Sequence, residues 1–224
     1  MVYRVAVPAT PVLVSAVEEF MQSVAHERAH SAELFIRLVD HMTDRMLSLF
    51  LVEPSQMIKL SGTQSKVIDF AVATAGKASH MLTRQIYKKM GNVELAPVAK
   101  NMQALYWPAG DDNEGHAQLA FPADEAFARE FIDLAGRAMN GEGSAHVDGI
   151  SRVMDRLADD IIDNFFISNS AVVKIGFMTQ KALDIGVDGT RRAVHAVNHK
   201  VLKGLDDDQL KGFMAHYAPV VRAE

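Results

Sequence analysis

Five consecutive residues, His26-Glu27-Arg28-Ala29-His30, carry the most reactive spacing in the chain. On a helix, two imidazoles four residues apart share a face, and both can reach one Zn²⁺. A glutamate beside the first can polarise a metal-bound water. The same segment holds Glu27-x-x-His30, the ligand spacing of di-iron bundles, which need a second Glu-x-x-His on a facing helix. No second Glu-x-x-His occurs in the chain. His195 and His199 repeat the four-residue imidazole spacing. The candidate ligands for a divalent Fe, Mn or Zn ion are therefore His26, Glu27, His30, His195 and His199.

The first string resembles the zinc signature of metallopeptidases over these five residues. Its context differs from theirs. Arg28 sets a cation beside the metal position, and the residue six after His30 is Ile36, not a third ligand. Glu53 is the nearest carboxylate at a longer third-ligand spacing, and Pro54 follows it at once. Apolar residues recur at three-four spacing from Leu13, Val17, Phe20 and Val24 to Phe35, Leu38, Met42, Met46 and Leu49. This predicts one long helix opening at Thr10-Pro11, or two that bend near His30-Ser31. At about 100° per residue, His26 falls about 180° and His30 about 130° from the apolar stripe, with Glu27 on its flank. The motif is expected on the solvated side and without a catalytic role. His195 and His199 lie on the flank of their own helix, about 90–130° from the apolar centre at Val194, Val197, Val201 and Leu205.

Asp159-Asp160-x-x-Asp163 resembles the Mg²⁺-binding string of the helical isoprenoid synthases, where the metal holds a substrate diphosphate. The resemblance covers five residues, and the second acidic motif of those enzymes is missing. Asp155, Asp159 and Asp163 fall opposite Leu157 and Ile161, which predicts a solvated acidic face. No G-x-S-x-G elbow, P-loop or G-x-G-x-x-G occurs, so nothing supports a serine nucleophile or a bound nucleotide. Arg191, Arg192, Lys200 and Lys203 make a small basic patch.

The elements that must position these groups read as helices. The 224 residues are 49% hydrophobic with a net charge of −5, enough apolar content for a core and too acidic a balance for a nucleic-acid coat. Cysteine is absent, which excludes disulfides and thiolate ligands and suits a reducing cytoplasm. No secretory leader is expected at the N-terminus, and no apolar run long enough to span a membrane. The expected fold is all-α, a single-domain multi-helix bundle of about six to eight helices, with residues 1–9 as an extended arm and 108–122 as an internal loop.

The segment "SAVVKIGFMTQKALDI" is apolar nearly all round and is expected as one helix, buried centrally or at a subunit interface. Gly186 and Asp188-Gly189 are expected to break it before Thr190 caps the next helix. The small residues of "AVATAGKAS" admit a neighbouring backbone closely, and Met42, Met46, Met81, Met139, Met154 and Met178 lie on or near apolar faces. Two functional classes follow. One is a non-catalytic bundle, a homo-oligomer that binds a partner helix or small apolar ligand. The other is a metal-binding bundle using His26-Glu27-x-x-His30. The first class predicts that replacing His26 and His30 together by Ala shifts stability by under ~0.5 kcal/mol, as at ordinary surface sites. Calorimetric melting and metal analysis of both proteins check this; lost metal or a large fall in Tm would overturn it.

Overall fold

Thr10 and Pro11 open the first helix as their types dictate. In the computed structural model, which describes residues 2–58, 60–110, 113 and 115–223, the Thr10 hydroxyl accepts from the Leu13 amide at 3.3 Å. Pro11 takes the first position of α1 (Pro11–Ala25), where no amide is needed. The helix stops at His26 and α2 (Ser31–Leu47) begins five residues later. Glu27 adopts φ 52°, a left-handed conformation that no helix continues. Below this turn a buried Ser23–Ser31 hydroxyl contact of 2.7 Å ties the two helices. The three-four spacing thus gives two helices, and the break falls inside the His-Glu motif.

The chain is a multi-helix bundle, as the spacing predicts. Phe35 of α2 is fully buried between Phe20 of α1 and Tyr87 of α4, with ring centroids 4.8 and 4.6 Å away. A π-helical turn (Ser48–Val52) and the short α3 (Glu53–Met57) follow α2. The long α4 (Gly62–Tyr87) opens with a reciprocal capping box between Ser61 and Gln64. Next come α5 (Asn92–Leu105) and α6 (Glu125–Met139); α6 ends before Gly141, which takes φ 84°. Then α7 (Val147–Ile162) runs into a second π-helical turn (Asp163–Ile167) and the single turn α8 (Ser168–Ala171). The last helices are α9 (Phe177–Val201) and α10 (Asp207–Tyr217), the latter capped by Asp206 and Gln209.

The segment "SAVVKIGFMTQKALDI" is not one helix. Residues 172–176 interrupt it, where Val172, Val173 and Ile175 lose rotamer freedom in a helix and Gly176 caps the next one. Conversely, Gly186 and Asp188-Gly189 do not break α9, and Thr190 sits inside it, donating to the Gly186 carbonyl at 2.9 Å. Gly186 has a packing reason. A Cβ there would lie 2.4 Å from Leu82 Cδ1 of α4, so the glycine lets the two helices close. Gln64 donates to the Val201 carbonyl at 3.2 Å at the far end, so α4 and α9 run antiparallel.

The spacing predicts no strand pairs, and here the structure differs. The arm at residues 1–9 contains β1 (Tyr3–Pro8), an inner strand of a four-stranded antiparallel sheet with order β2-β3-β1-β4. The loop at 108–122 contains β3 (Gln118–Pro122), and β2 (Tyr106–Trp107) and β4 (Val221–Ala223) form the edges. Arg4 and Arg222 lie over the Trp107 ring at 5.3 and 5.2 Å, and Phe121 meets Phe165 edge-on at 5.2 Å. Because β1 is paired within its own chain, it is not a free arm for a neighbour.

The left-handed Glu27 yields a local test. Glu27→Gly removes a strained conformation but loosens the unfolded chain, so stability should change by less than about 1 kcal/mol, toward stabilisation. Urea denaturation reads this directly; a loss above that size would mean that Glu27 makes a contact beyond its turn.

Candidate functional site

The sequence-predicted ligands separate into distinct settings. His26 to His30 are all exposed in the α1–α2 turn rather than on one helical face. His26 Nδ1 bonds the Gln22 carbonyl at 2.8 Å, and His30 Nδ1 lies 3.3 Å from Glu33. His195 and His199 instead face α7. His195 Nε2 meets Asp159 at 3.1 Å, and His199 Nε2 meets Asp155 at 2.7 Å. Arg191 reaches Asp163 at 2.5 Å, and Asn198 donates to Asp155 at 2.8 Å. Acids four residues apart on α7 and its π turn (Asp155, Asp159, Asp163) therefore match bases four residues apart on α9 (His199, His195, Arg191), with the Asn198 amide beside them. Most of the Asp159-Asp160-x-x-Asp163 string is used in this ladder; Asp160 turns to Arg156 at 2.8 Å. Burial raises the Asp160 pKa, aided by the charges of Asp163 and Asp159 and opposed by Arg156. Among the described residues, no three His, Asp or Glu side chains form a group that could hold a metal ion.

Glu53, at the longer ligand spacing, clasps the first π turn. It accepts from Arg45 at 2.6 Å and Ser48 at 3.0 Å, and His216 lies 3.8 Å away. Burial works against its ionisation, but the Ser48 and Arg45 hydrogen bonds and the Arg45 and His216 charges outweigh it, leaving its pKa below the ordinary value.

The feature with room for a ligand is a cavity of about 140 Å³ between α2, α4, the α7–α8 segment and α9. Small side chains open it: Ala75, Ala78 and Ser79 on α4, Ala158 on α7 and Gly186 on α9. Larger ones wall it, among them Phe35, Met46, Leu82, Ile161 and Leu183. Both π turns contribute, Phe50 and Leu51 from one, Phe165, Phe166 and Ile167 from the other. A π turn holds an extra residue, which is how successive side chains come to line the same wall; such turns are frequent at functional sites.

Among the described residues, no charged or imidazole side chain lines this cavity. Its polar groups are largely engaged within the protein. Thr43 contacts Ser79 at 2.6 Å and donates to the Val39 carbonyl at 2.8 Å. Asn169 donates to the Phe165 carbonyl at 2.9 Å, and Ser170 to that of Ile167 at 2.8 Å. Tyr87 is the one ionisable side chain in the wall, and burial pushes its hydroxyl pKa up, away from neutrality. The arrangement can hold an apolar molecule, and it offers no acid or base poised for work near neutral pH. The only sequence signal for it is the run of small residues in α4.

The depressed Glu53 pKa fixes a pH dependence. Its contribution to stability is fully present above the ordinary glutamate value and is lost as pH falls through the lower folded value. Glu53→Gln should therefore denature at lower urea than the parent at about pH 7, with the gap closing as pH falls below the ordinary glutamate range. A gap that persists unchanged in acid would assign the effect to something other than the carboxylate charge. No protein-family model matches the chain, and neither a curated protein nor a solved structure matches it, so its role has to be read from the cavity and its walls.

Proposed function

We propose that the chain is a non-catalytic helical protein that takes a small apolar ligand into the cavity between α2, α4, α7 and α9. The observation that carries this is about 140 Å³ of space whose lining, among the described residues, holds no charged or imidazole side chain. An engineered apolar cavity of about 150 Å³ in another protein stays dry and binds benzene. A hydrocarbon portion of roughly six to eight heavy atoms suits such a volume. The Ser79 hydroxyl, whose proton goes to Thr43 while Thr43 donates to the Val39 carbonyl, keeps an oxygen that can accept from a ligand hydroxyl. The second part of the function is surface association. Phe177, Met178 and Ile185, expected in a core or an interface, are 80%, 74% and 65% exposed, so the strip is open to a partner.

Toluene and 1-octanol are suitable probes. Ligand binding to the folded state alone raises Tm with ligand concentration, so both should do so for the parent protein. Ala78→Leu puts three more carbons into the cavity and should abolish that rise. It should also leave the unliganded protein as stable or up to about 2 kcal/mol more stable, at ~0.8 kcal/mol per buried methylene. A parent protein whose melting ignores both probes would remove the ligand-binding role.

A further inference from the structure

The charges of this chain are unevenly placed. No acidic residue occurs between Asp69 and Glu94, a stretch holding Lys77, Arg84, Lys88 and Lys89. None occurs between Asp163 and Asp184, a stretch holding Lys174 and Lys181. The antiparallel packing of α4 on α9, with Leu82 against Gly186, brings these two stretches to one end of the molecule. All six cations are exposed, and none makes an ion pair or side-chain hydrogen bond among the described residues. Large apolar side chains exposed toward this end include Met81, Val93, Val172, Phe177, Met178 and Ile185, while Phe70, also exposed, sits toward the opposite end of α4. Asp184, at the rim, accepts from Gln180 at 2.8 Å. In a chain of net charge −5, the outer face of the α4–α9 pair is thus both basic and apolar. Of the acids on adjoining elements, Asp40 is engaged by His80 at 2.5 Å and Glu94 by the Gly91 amide at 2.9 Å, and the exposed Glu27 lies in the α1–α2 turn that Asn92 joins through the Arg28 carbonyl at 3.0 Å.

We propose that this end of the α4–α9 pair docks on an anionic lipid bilayer surface. The docking end rests on the surface association proposed for the Phe177 strip, naming a lipid surface as what it meets, and is separate from the role proposed for the cavity. Lysine stems lie along apolar surface while their ammonium groups stay at headgroup level, so Lys interleaved with Phe, Met and Ile is the composition that binds such an interface. Anionic headgroups supply the charges that the six cations lack. A second copy suits the surface less well. A two-fold contact through this end sets each lysine cluster against its own duplicate. Single-stranded nucleic acid needs successive stacking planes, and the two exposed rings of these segments stand apart, Phe177 at this end and Phe70 toward the opposite end of α4.

Flotation of the full chain with vesicles of pure phosphatidylcholine, and of phosphatidylcholine with a third phosphatidylglycerol, tests this. Binding should be at least about tenfold tighter to the anionic vesicles and should weaken as salt rises. Lys88→Glu with Lys89→Glu should weaken it by at least about tenfold, since each surface cation is worth about fivefold. Phe177→Ser with Met178→Ser should weaken binding to the same vesicles without changing its salt dependence. Both variants change exposed residues, and retained helical circular dichroism and a retained toluene-induced rise in Tm show that fold and cavity are intact. That melting response is read without lipid, so failure of the docking end and failure of the cavity are told apart. Equal binding to both vesicle types, no binding to either, or a concentration-dependent dimer in place of vesicle binding would each overturn the proposal.

Discussion

Everything around the cavity depends on how closely α9 lies against α4 at Gly186. With no Cβ there, the Leu82 side chain occupies the space a larger residue would need, and the two helices approach along one edge. The opposite flank of α9 is held by the ladder that joins Arg191, His195 and His199 to Asp163, Asp159 and Asp155 of the α7 segment. Fixed on both sides, α9 is kept from sliding over the small residues Ala75, Ala78 and Ser79. The space above them stays open. A void usually costs stability because its walls lose dispersion contacts, and this one persists because polar and charged contacts at its margins set the helix positions.

Local chemistry made much of this fold legible. Thr10-Pro11, the Ser61/Gln64 box and the glycine at 141 act within a few residues, and each stands where its type demands. The sheet was not legible, because β1 pairs with β3 across more than a hundred residues and both are buried on nearly every residue, which removes the alternation that marks a half-exposed strand. Gly186 and Gly189 read as breaks by propensity, and tertiary packing overrides them. The break inside His26 to His30 has no strong local signal. It follows from the buried Ser23–Ser31 contact, which only the folded pair of helices brings about.

The candidate site was legible in fragments for a related reason. A helical wheel places His195 and His199 on a flank and Asp155 and Asp159 opposite the apolar face, as if solvated, because it treats each helix as if it stood in water. Two half-polar flanks that face each other become a bonded seam, which is where these residues are found. The small residues of α4 correctly indicated a close neighbour. That they leave space as well as admit a backbone depends on which of them faces Gly186 and which does not.

Natural sequences agree with themselves at most levels, and their local departures gather where function needs them. Several departures here meet around one cavity. Two helices carry π-helical turns that feed its wall, a glycine sits in the middle of a 25-residue helix, and small residues occupy a buried face. At the same end, large apolar side chains face solvent beside cations that have no ion-pair partner among the described residues. Each alone is ordinary. Their convergence on the α4–α9 pair is what selects it over the His-Glu turn, whose five residues are exposed and outside the cavity lining. A pair of helices whose inner face leaves room for a hydrocarbon and whose outer end combines lysine with phenylalanine and methionine has the same chemical preference on both sides. Both favour molecules with an apolar body, and the outer end adds a demand for negative charge.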